Sequence, residues 1–293
     1  MRRIIDIISL STDYLKAKGI VQPRLNAELL LSEVLGKSRI EIYLEYDRPL
    51  AEKELSSLRE LLRARAAHKP LQYVLGKTEF FSLPFLLTEG VFIPRPETEI
   101  LVEEVINRVE GASPEDEIII CDVGTGCGCI AISVAHNVQN CRVYASDISP
   151  EAIAVAKGNA EKNGVADRVV LLQGDMFEPF NQCGAPRADV IVSNPPYIAE
   201  EDWDSLPDEV KRFEPRECLL AGKGGLDFLR RLIGCAEPSL KPGGSIFLEI
   251  GEAQRDAVIA LLEARNKYVD IVTRKDYNGR DRIVFAKLSN AKP

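Results

Sequence analysis

The stretch Glu117-Ile118-Ile119-Ile120-Cys121-Asp122-Val123-Gly124-Thr125-Gly126-Cys127-Gly128-Cys129-Ile130-Ala131 reads as an apolar strand that runs out into glycines and then into a helix. Three glycines in five residues let the backbone pass close to a ligand and expose N–H groups at a helix N-terminus. Working outward, the same alternation continues. Strands are expected at 142–147, 169–175, 188–194, 245–250, 268–274 and 282–288, with helices at about 128–136, 150–163, 225–238 and 252–264. Seven strands alternating with helical patterns predict an α/β protein with a doubly wound, parallel, Rossmann-like sheet. The short turn at 276–281 predicts an antiparallel hairpin at its edge.

The first ~70 residues have a helical period instead. Ile4, Ile5, Ile8 and Leu15 start one stripe, and Gly19 ends it. Pro23 opens a second segment that closes at Gly36. A third, 52–68, turns Leu55, Leu58, Leu61 and Leu62 inward and Arg59, Arg63, Arg65 and Lys69 outward, and Pro70 stops it. From Leu71 to Phe81 aromatic and β-branched residues predict a hairpin broken at Gly76-Lys77, with a second strand at 84–87. Pro94-Arg95-Pro96-Glu97 then suits a rigid lead into a helix near Thr98. Three parts result: a small N-terminal helical bundle (1–70), a β-hairpin connector (71–93) and the α/β part (94–293).

Of 293 residues, 45% are hydrophobic and 28% charged, the balance of a soluble globular protein and not of a disordered chain. The net charge is −8. Counted through Gly90 it is +2, and over the remainder −10. An acidic chain is a poor default binder of nucleic acid. No apolar run approaches the ~18–20 residues of a membrane helix. Met1-Arg2-Arg3 is followed by Asp6, Asp13 and Lys16 without a small-residue cleavage site, so no secretory signal is expected and the cytoplasm is. Seven cysteines include no C-x-x-C pair, and neither His68 nor His136 is spaced to complete a metal site. Reduced, buried cysteines and no metal are expected. Nothing demands an oligomer, so a monomer is expected.

Ligands of open α/β sheets bind at the carboxyl ends of strands, near the switch point. Four such ends carry suggestive residues. From Gly126 the glycine turn fits G-x-G-x-x-A, a weak match to a dinucleotide site, and fits an S-adenosylmethionine loop equally well. Asp147, about 20 residues on, can accept both hydroxyls of a ribose, which either ligand carries. In Gly174-Asp175-Met176-Phe177, Asp175 can take a hydrogen bond from an adenine amino group while Met176 or Phe177 packs on the ring. The fourth, Asn194-Pro195-Pro196-Tyr197, separates the two ligands. Two prolines stiffen the backbone and remove two donors. The Asn194 side-chain carbonyl and the Pro195 backbone carbonyl can then accept both hydrogens of a planar –NH2 group, with the Tyr197 ring stacked on its plane. Such a site suits an amide or the exocyclic amine of a base.

Asn-Pro-Pro-Tyr after a glycine-rich loop resembles methyltransferases that act on planar amino nitrogens. Phe92-Ile93-Pro94-Arg95-Pro96-Glu97-Thr98-Glu99, Phe213-Glu214-Pro215-Arg216, Glu249-Ile250-Gly251 and Gly279-Arg280-Asp281-Arg282 resemble, in order, the signatures of the release factor glutamine methyltransferases (HemK/PrmC family). The resemblance covers nearly the whole chain. It implies a class I methyltransferase sheet, S-adenosyl-L-methionine as cofactor and the Gly-Gly-Gln glutamine of class I peptide chain release factors as substrate. It implies that Gly124, Thr125, Gly126, Cys127, Gly128 and Asp147 bind the cofactor, with Asp175, Met176, Phe177 and Asn194 completing that site. Asn194, Pro195, Pro196 and Tyr197 would hold the glutamine, and the helical part would dock the release factor. Cys127 departs from the usual Ser or Thr, and Met176 from a frequent aromatic residue. The roles of Arg95, Glu97, Glu214 and Glu249 stay open between holding substrate and bracing. A DNA adenine methyltransferase would use the same tetrapeptide on a flipped base, but it calls for a basic groove that the −10 balance does not suggest. A NAD-dependent oxidoreductase leaves Asn194 to Tyr197 unexplained, and a binding module without activity would have no need of the acceptor set.

Overall fold

The computed structural model describes residues 3–111, 113 and 115–290. Met1 and Arg2, at the start of the segment read as no secretory signal, lie outside them. Helices α1 (Ile4–Ala17), α2 (Pro23–Leu35), α3 (Arg39–Leu44), α4 (Glu52–Ala66) and α5 (Leu71–Leu75) come first. A two-stranded hairpin, β1 (Lys77–Phe80) and β2 (Leu83–Leu86), and α6 (Thr98–Val109) follow. The remainder runs β3 (Ile118–Val123), α7 (Cys129–Asn137), β4 (Cys141–Asp147), α8 (Pro150–Lys162), β5 (Val169–Gln173), α9 (Glu178–Gln182), β6 (Ala188–Ser193), α10 (Asp208–Phe213), α11 (Asp227–Ala236), β7 (Leu240–Glu249), α12 (Arg255–Glu263), β8 (Tyr268–Lys275) and β9 (Asp281–Leu288).

The chain forms two compact units. One comprises Met1–Lys77 with Pro207–Phe213, the other Thr78–Leu206 with Glu214–Pro293. The helical unit buries the stripe that its period predicts, with Ile4, Leu15, Leu30, Leu31, Ile42 and Leu58 at its centre. Glu28 is buried in it and accepts hydrogen bonds from Arg24, Arg39 and Tyr43. Arg65, expected to face outward, is instead buried, because it pairs with Glu209 of the returning segment at 3.1 Å and bonds Asn26 at 2.7 Å.

One expectation is overturned here. Leu71-Gln72-Tyr73-Val74-Leu75 is a helical turn and not the first hairpin strand. Pro70 supplies its start and Gly76, at φ +68°, its left-handed stop. The hairpin is shorter, 77–86, and joins through Phe81-Ser82, both at positive φ as a type I′ turn needs. The Glu99 carboxylate accepts from the Phe81 N–H at 2.8 Å and holds that turn.

In the second unit the strand order is β5-β4-β3-β6-β7-β9-β8. The pairs from β5 through β7 are parallel, and β9 runs antiparallel between β7 and β8. The doubly wound, seven-stranded sheet and its edge hairpin are therefore as the alternation predicts. Every residue of β3 is buried, as an apolar strand covered on both faces requires. The order reverses between β3 and β6, so the glycine turn and Asn194-Pro195-Pro196-Tyr197 leave adjacent strand ends. Cys121, Cys127, Cys129 and Cys141 are buried thiols, and burial pushes Cys121 up to about 12. Among the described residues no helix is long and apolar enough to cross a membrane.

Candidate active site

Three parallel strand ends build the first half of the site. The Ser146 carbonyl at the end of β4 accepts from both the Gly124 and Thr125 N–H groups, at 2.8 and 2.9 Å. Asp147 then reaches across: its Oδ2 accepts from the Gly126 N–H at 2.8 Å and its Oδ1 from the Ser149 N–H at 2.9 Å. Beneath the turn, Asp122 Oδ2 accepts from the Thr125 hydroxyl at 2.6 Å and from the Ala131 N–H at 3.2 Å. Burial pushes Asp122 up to about 7 against those two bonds. It raises Asp147 as well, against the Ser149 and Gly126 amides.

The turn is open where a ligand would lie. At Gly124 and Gly126, both at positive φ, no heavy atom beyond the chain neighbours stands within 4 Å of an added Cβ. Gly128 differs: its Cβ would meet Ile132 Cδ1 at 2.7 Å and Ala156 at 3.1 Å, so it serves the packing of α7 on α8. These residues fit a nucleoside with a cationic neighbour better than a dinucleotide. The Gly126 amide already faces a carboxylate, and a pyrophosphate there would meet Asp147 and the buried Asp122. Sequence reasoning passed over Ile148 and Asn159. Ile148 is 67% exposed directly after Asp147 and offers an apolar face. Asn159, fully buried on α8, donates to the Cys127 carbonyl at 2.9 Å and to the Leu86 carbonyl at 3.1 Å. No motif marks it, because its partners lie 32 and 73 residues away.

The third strand end is less simple than its residues suggest. Asp175 pairs with Arg231 of α11 through Oδ2, and nothing among the described residues donates to its Oδ1. Met176 takes φ +47°, its carbonyl accepts from the Ser146 hydroxyl, and its side chain is buried. Phe177 is 4% exposed and meets Phe180 edge-on in the core.

The second half of the site follows β6. The Ser193 hydroxyl donates to the Val123 carbonyl at 2.6 Å and locks the two neighbouring strand ends together. Asn194 Nδ2 donates to Thr98 Oγ1 at 3.0 Å, and the Thr98 hydroxyl lies 2.7 Å from Glu249 Oε2. Nothing among the described residues donates to Asn194 Oδ1 or to the Pro195 carbonyl. Asn194 is half-buried and Pro195 buried, so both acceptors lack a partner among the described residues. Gln254 steadies the exit of the segment: its Nε2 donates to the Tyr197 carbonyl at 2.8 Å and the Gly225 carbonyl at 2.9 Å. Burial raises the Tyr197 phenol, with Glu249 adding to the shift and Arg282 opposing it. Arg282 donates to the Ile250 carbonyl and pairs with Asp276. Arg95 pairs with the buried Glu214, which also accepts from the Ile93 N–H, so these two brace the segment before α6.

A family model described as PrmC N-terminal domain matches residues 6–76, and one described as Methyltransferase small domain matches residues 95–209. A T. thermophilus 16S rRNA methyltransferase solved in complex with AdoMet and guanosine shares the fold, with a TM-score of 0.50 at 19% identity, covering 72% of this chain and 49% of that one. A release factor glutamine methyltransferase of Geobacter sulfurreducens is 40% identical over 282 residues, 96% of this chain and 95% of its own length. One from Moorella thermoacetica is 43% identical over 272 residues, 93% of this chain and 94% of its own. With identity of that size running from the helical unit through the sheet, the chain belongs to the release factor glutamine methyltransferase family.

Proposed function

We propose that this protein transfers a methyl group from S-adenosylmethionine to the side-chain amide nitrogen of the Gly-Gly-Gln glutamine of class I release factors. The observation that carries the reading is the acceptor pair at the end of β6. Asn194 turns its –NH2 toward Thr98, so its carbonyl oxygen and that of Pro195 would be the two groups that accept from a planar –NH2. A site of two acceptors and a half-buried phenol suits an amide nitrogen. An amide is a poor nucleophile because its lone pair is delocalised into the carbonyl. Gripping both N–H groups and holding the plane against Tyr197 aims that lone pair. The same two carbonyls stabilise positive charge as it develops on nitrogen.

The bound cofactor supplies an electrophilic sulfonium methyl. Gly124 and Gly126 would give it an open backbone cradle, with Thr125, Cys127 and Gly128 completing the turn from its buried side, and Asp147 would keep lone pairs for ribose hydroxyls. Asp175, through its free oxygen, and Met176, Phe177 and Asn194 flank the rest. Among these, Phe177 would act by shaping the pocket wall from the core. Residues 1–70 would dock the release factor, with 71–93 as connector and 94–293 as the catalytic part. We read the partner as protein and not as nucleic acid or membrane, in line with the −10 balance of residues 91–293, and the enzyme as a cytoplasmic monomer.

The test is methyl transfer from labelled S-adenosylmethionine to an unmodified release factor, to the same factor with its Gly-Gly-Gln glutamine replaced, and to duplex DNA. Label on the first alone is expected. Label on DNA would overturn the substrate. In the same assay Asn194→Ala is expected to cut turnover by ~10²–10³-fold, the scale of losing an oriented dipole in the transition state. Cofactor affinity, measured by titration, should fall much less. Turnover at the wild-type level would remove Asn194 from this role.

A further inference from the structure

Asn194 is useful only one way round. An asparagine side chain has nearly the same shape with its oxygen and nitrogen exchanged, and the exchanged form would present donors to a substrate –NH2. The three side chains behind it decide between the two forms. Glu249 is 1% exposed at the end of β7, and Thr98 is 1% exposed at the start of α6. An ionised carboxylate only accepts, so the single hydrogen of the Thr98 hydroxyl goes to Glu249 Oε2, 2.7 Å away. Thr98 Oγ1 is then left with lone pairs only. The Asn194 group 3.0 Å from it has to be the –NH2, and Oδ1 has to face outward.

We infer that Thr98 and Glu249 are positioning residues that set the polarity of the Asn194 amide, passing the acceptor character of a buried carboxylate through one hydroxyl to the substrate side. This rests on the function proposed above. Thr98 bonds Asn194 directly, and Glu249 acts on the amide through Thr98.

The relay gives Glu249 a reason to be buried and ionisable. Burial pushes its carboxyl up to about 7, while Thr98 and the Arg282 guanidinium of β9 pull it down. Glu97, before α6, raises it, and the Tyr197 phenol lowers it. Once protonated, Glu249 can donate to Thr98. Thr98 can then donate to Asn194, and the amide can turn over. Turnover should therefore fall as pH drops through about 7. A residue that merely packs would not produce that acid limb.

The experiment uses the full chain at saturating S-adenosylmethionine, with an unmodified release factor as methyl acceptor. Thr98→Val is expected to lower kcat at least about tenfold and to leave the affinity for S-adenosylmethionine within about threefold. Thr98→Ser keeps the hydroxyl and should recover most of the wild-type rate. Glu249→Gln, which can donate as well as accept, should lose several-fold. The acid limb of kcat should be present in the wild type and absent in Thr98→Val. A second readout needs no methyl acceptor. The side-chain amide hydrogens of 15N-labelled Asn194 should exchange slowly with solvent in the wild type and faster in Thr98→Val. Wild-type kcat in Thr98→Val, or an unchanged acid limb there, overturns the relay. Should the wild type leave the release factor unlabelled, the substrate reading fails and the exchange measurement decides the relay alone: slow exchange lost in Thr98→Val supports it, equal exchange overturns it.

Discussion

At Gly225 the backbone sits at φ +68°, and a Cβ added there would stand 2.2 Å from the Tyr197 carbonyl oxygen and 2.6 Å from Gln254 Nε2. Real side chains do not come that close, so Gly225→Ala has to push the exit of the Asn194–Tyr197 segment aside or break its bond to Gln254. The substitution is also strained at that φ. Turnover is expected to drop at least about tenfold, since small misplacements of positioning groups carry costs of that order. Cofactor affinity should change less, because Asp147 and the glycine turn leave β4 and β3. Steady-state rates and a cofactor titration check both, and an unaltered kcat would show that Tyr197 tolerates displacement. Single residues of this kind divide into two groups by how far the sequence shows them. Asp147 and Asn194 stand at strand ends in short, unusual strings, where type and position are visible together. Thr98, Gln254 and Asn159 do their positioning through partners 29 to 151 residues away. A hydrogen bond across that separation leaves no mark on local composition. Asp175 is the intermediate case: its place at a strand end is legible, its pairing with Arg231 is not.

Among the elements, strands of the central sheet are the most legible, because burial on both faces writes unbroken apolar runs such as Ile118–Val123. Short elements are the least. Leu71–Leu75 carries strand-forming residues, yet the proline before it and the left-handed glycine after it leave room only for a helical turn. In α3 a capping box marks the start, with the Ser38 N–H donating to Glu41 at 2.7 Å, but six residues give no period to recognise. The hairpin turn Phe81-Ser82 hides for a different reason: its type asks for Asn or Gly, and neither is present. That mismatch has a measurable consequence. Ser82 is exposed at φ +60° and pays a left-handed penalty that glycine would not. Ser82→Gly is expected to stabilise the protein by about 0.5–1 kcal/mol, the penalty relieved less the extra freedom glycine has when unfolded. Urea unfolding reads it directly, and a lower midpoint would mean that the Ser82 side chain contributes more than its backbone strain costs.

For the whole molecule, the division into a helical part and a parallel sheet is visible as a change of hydrophobic period, whereas the return of Pro207–Phe213 to the helical unit is not. What holds both units at a given pH is a matter of their buried carboxylates. Asp122 and Glu249 are both pushed up to about 7 by burial, from ordinary values of 3.8 and 4.5. Between roughly pH 4.5 and 7 the native protein therefore holds protons that the unfolded chain has released, and stability falls as pH rises through that window. Other carboxylates act in the opposite sense and lower down. Asp276 is held low, first by the Arg280 N–H. Glu28 is held low as well: burial raises it, but Tyr43, Arg24 and Arg39 together outweigh burial. Their contribution is complete above the ordinary carboxylate range and is lost as pH falls below it. The two windows place maximum stability near pH 5, acid of neutrality. The thermal midpoint, followed by circular dichroism, is expected to fall from pH 5 to 7.5, by about 2–4 °C for each kcal/mol of this stabilisation that is lost in a protein of this size. Glu249→Gln should flatten that fall, because an amide in the same place has no proton to release. A midpoint that rises across the interval would mean that both carboxyl groups ionise at ordinary values, and the acid limb expected of the Thr98 relay would move down with them.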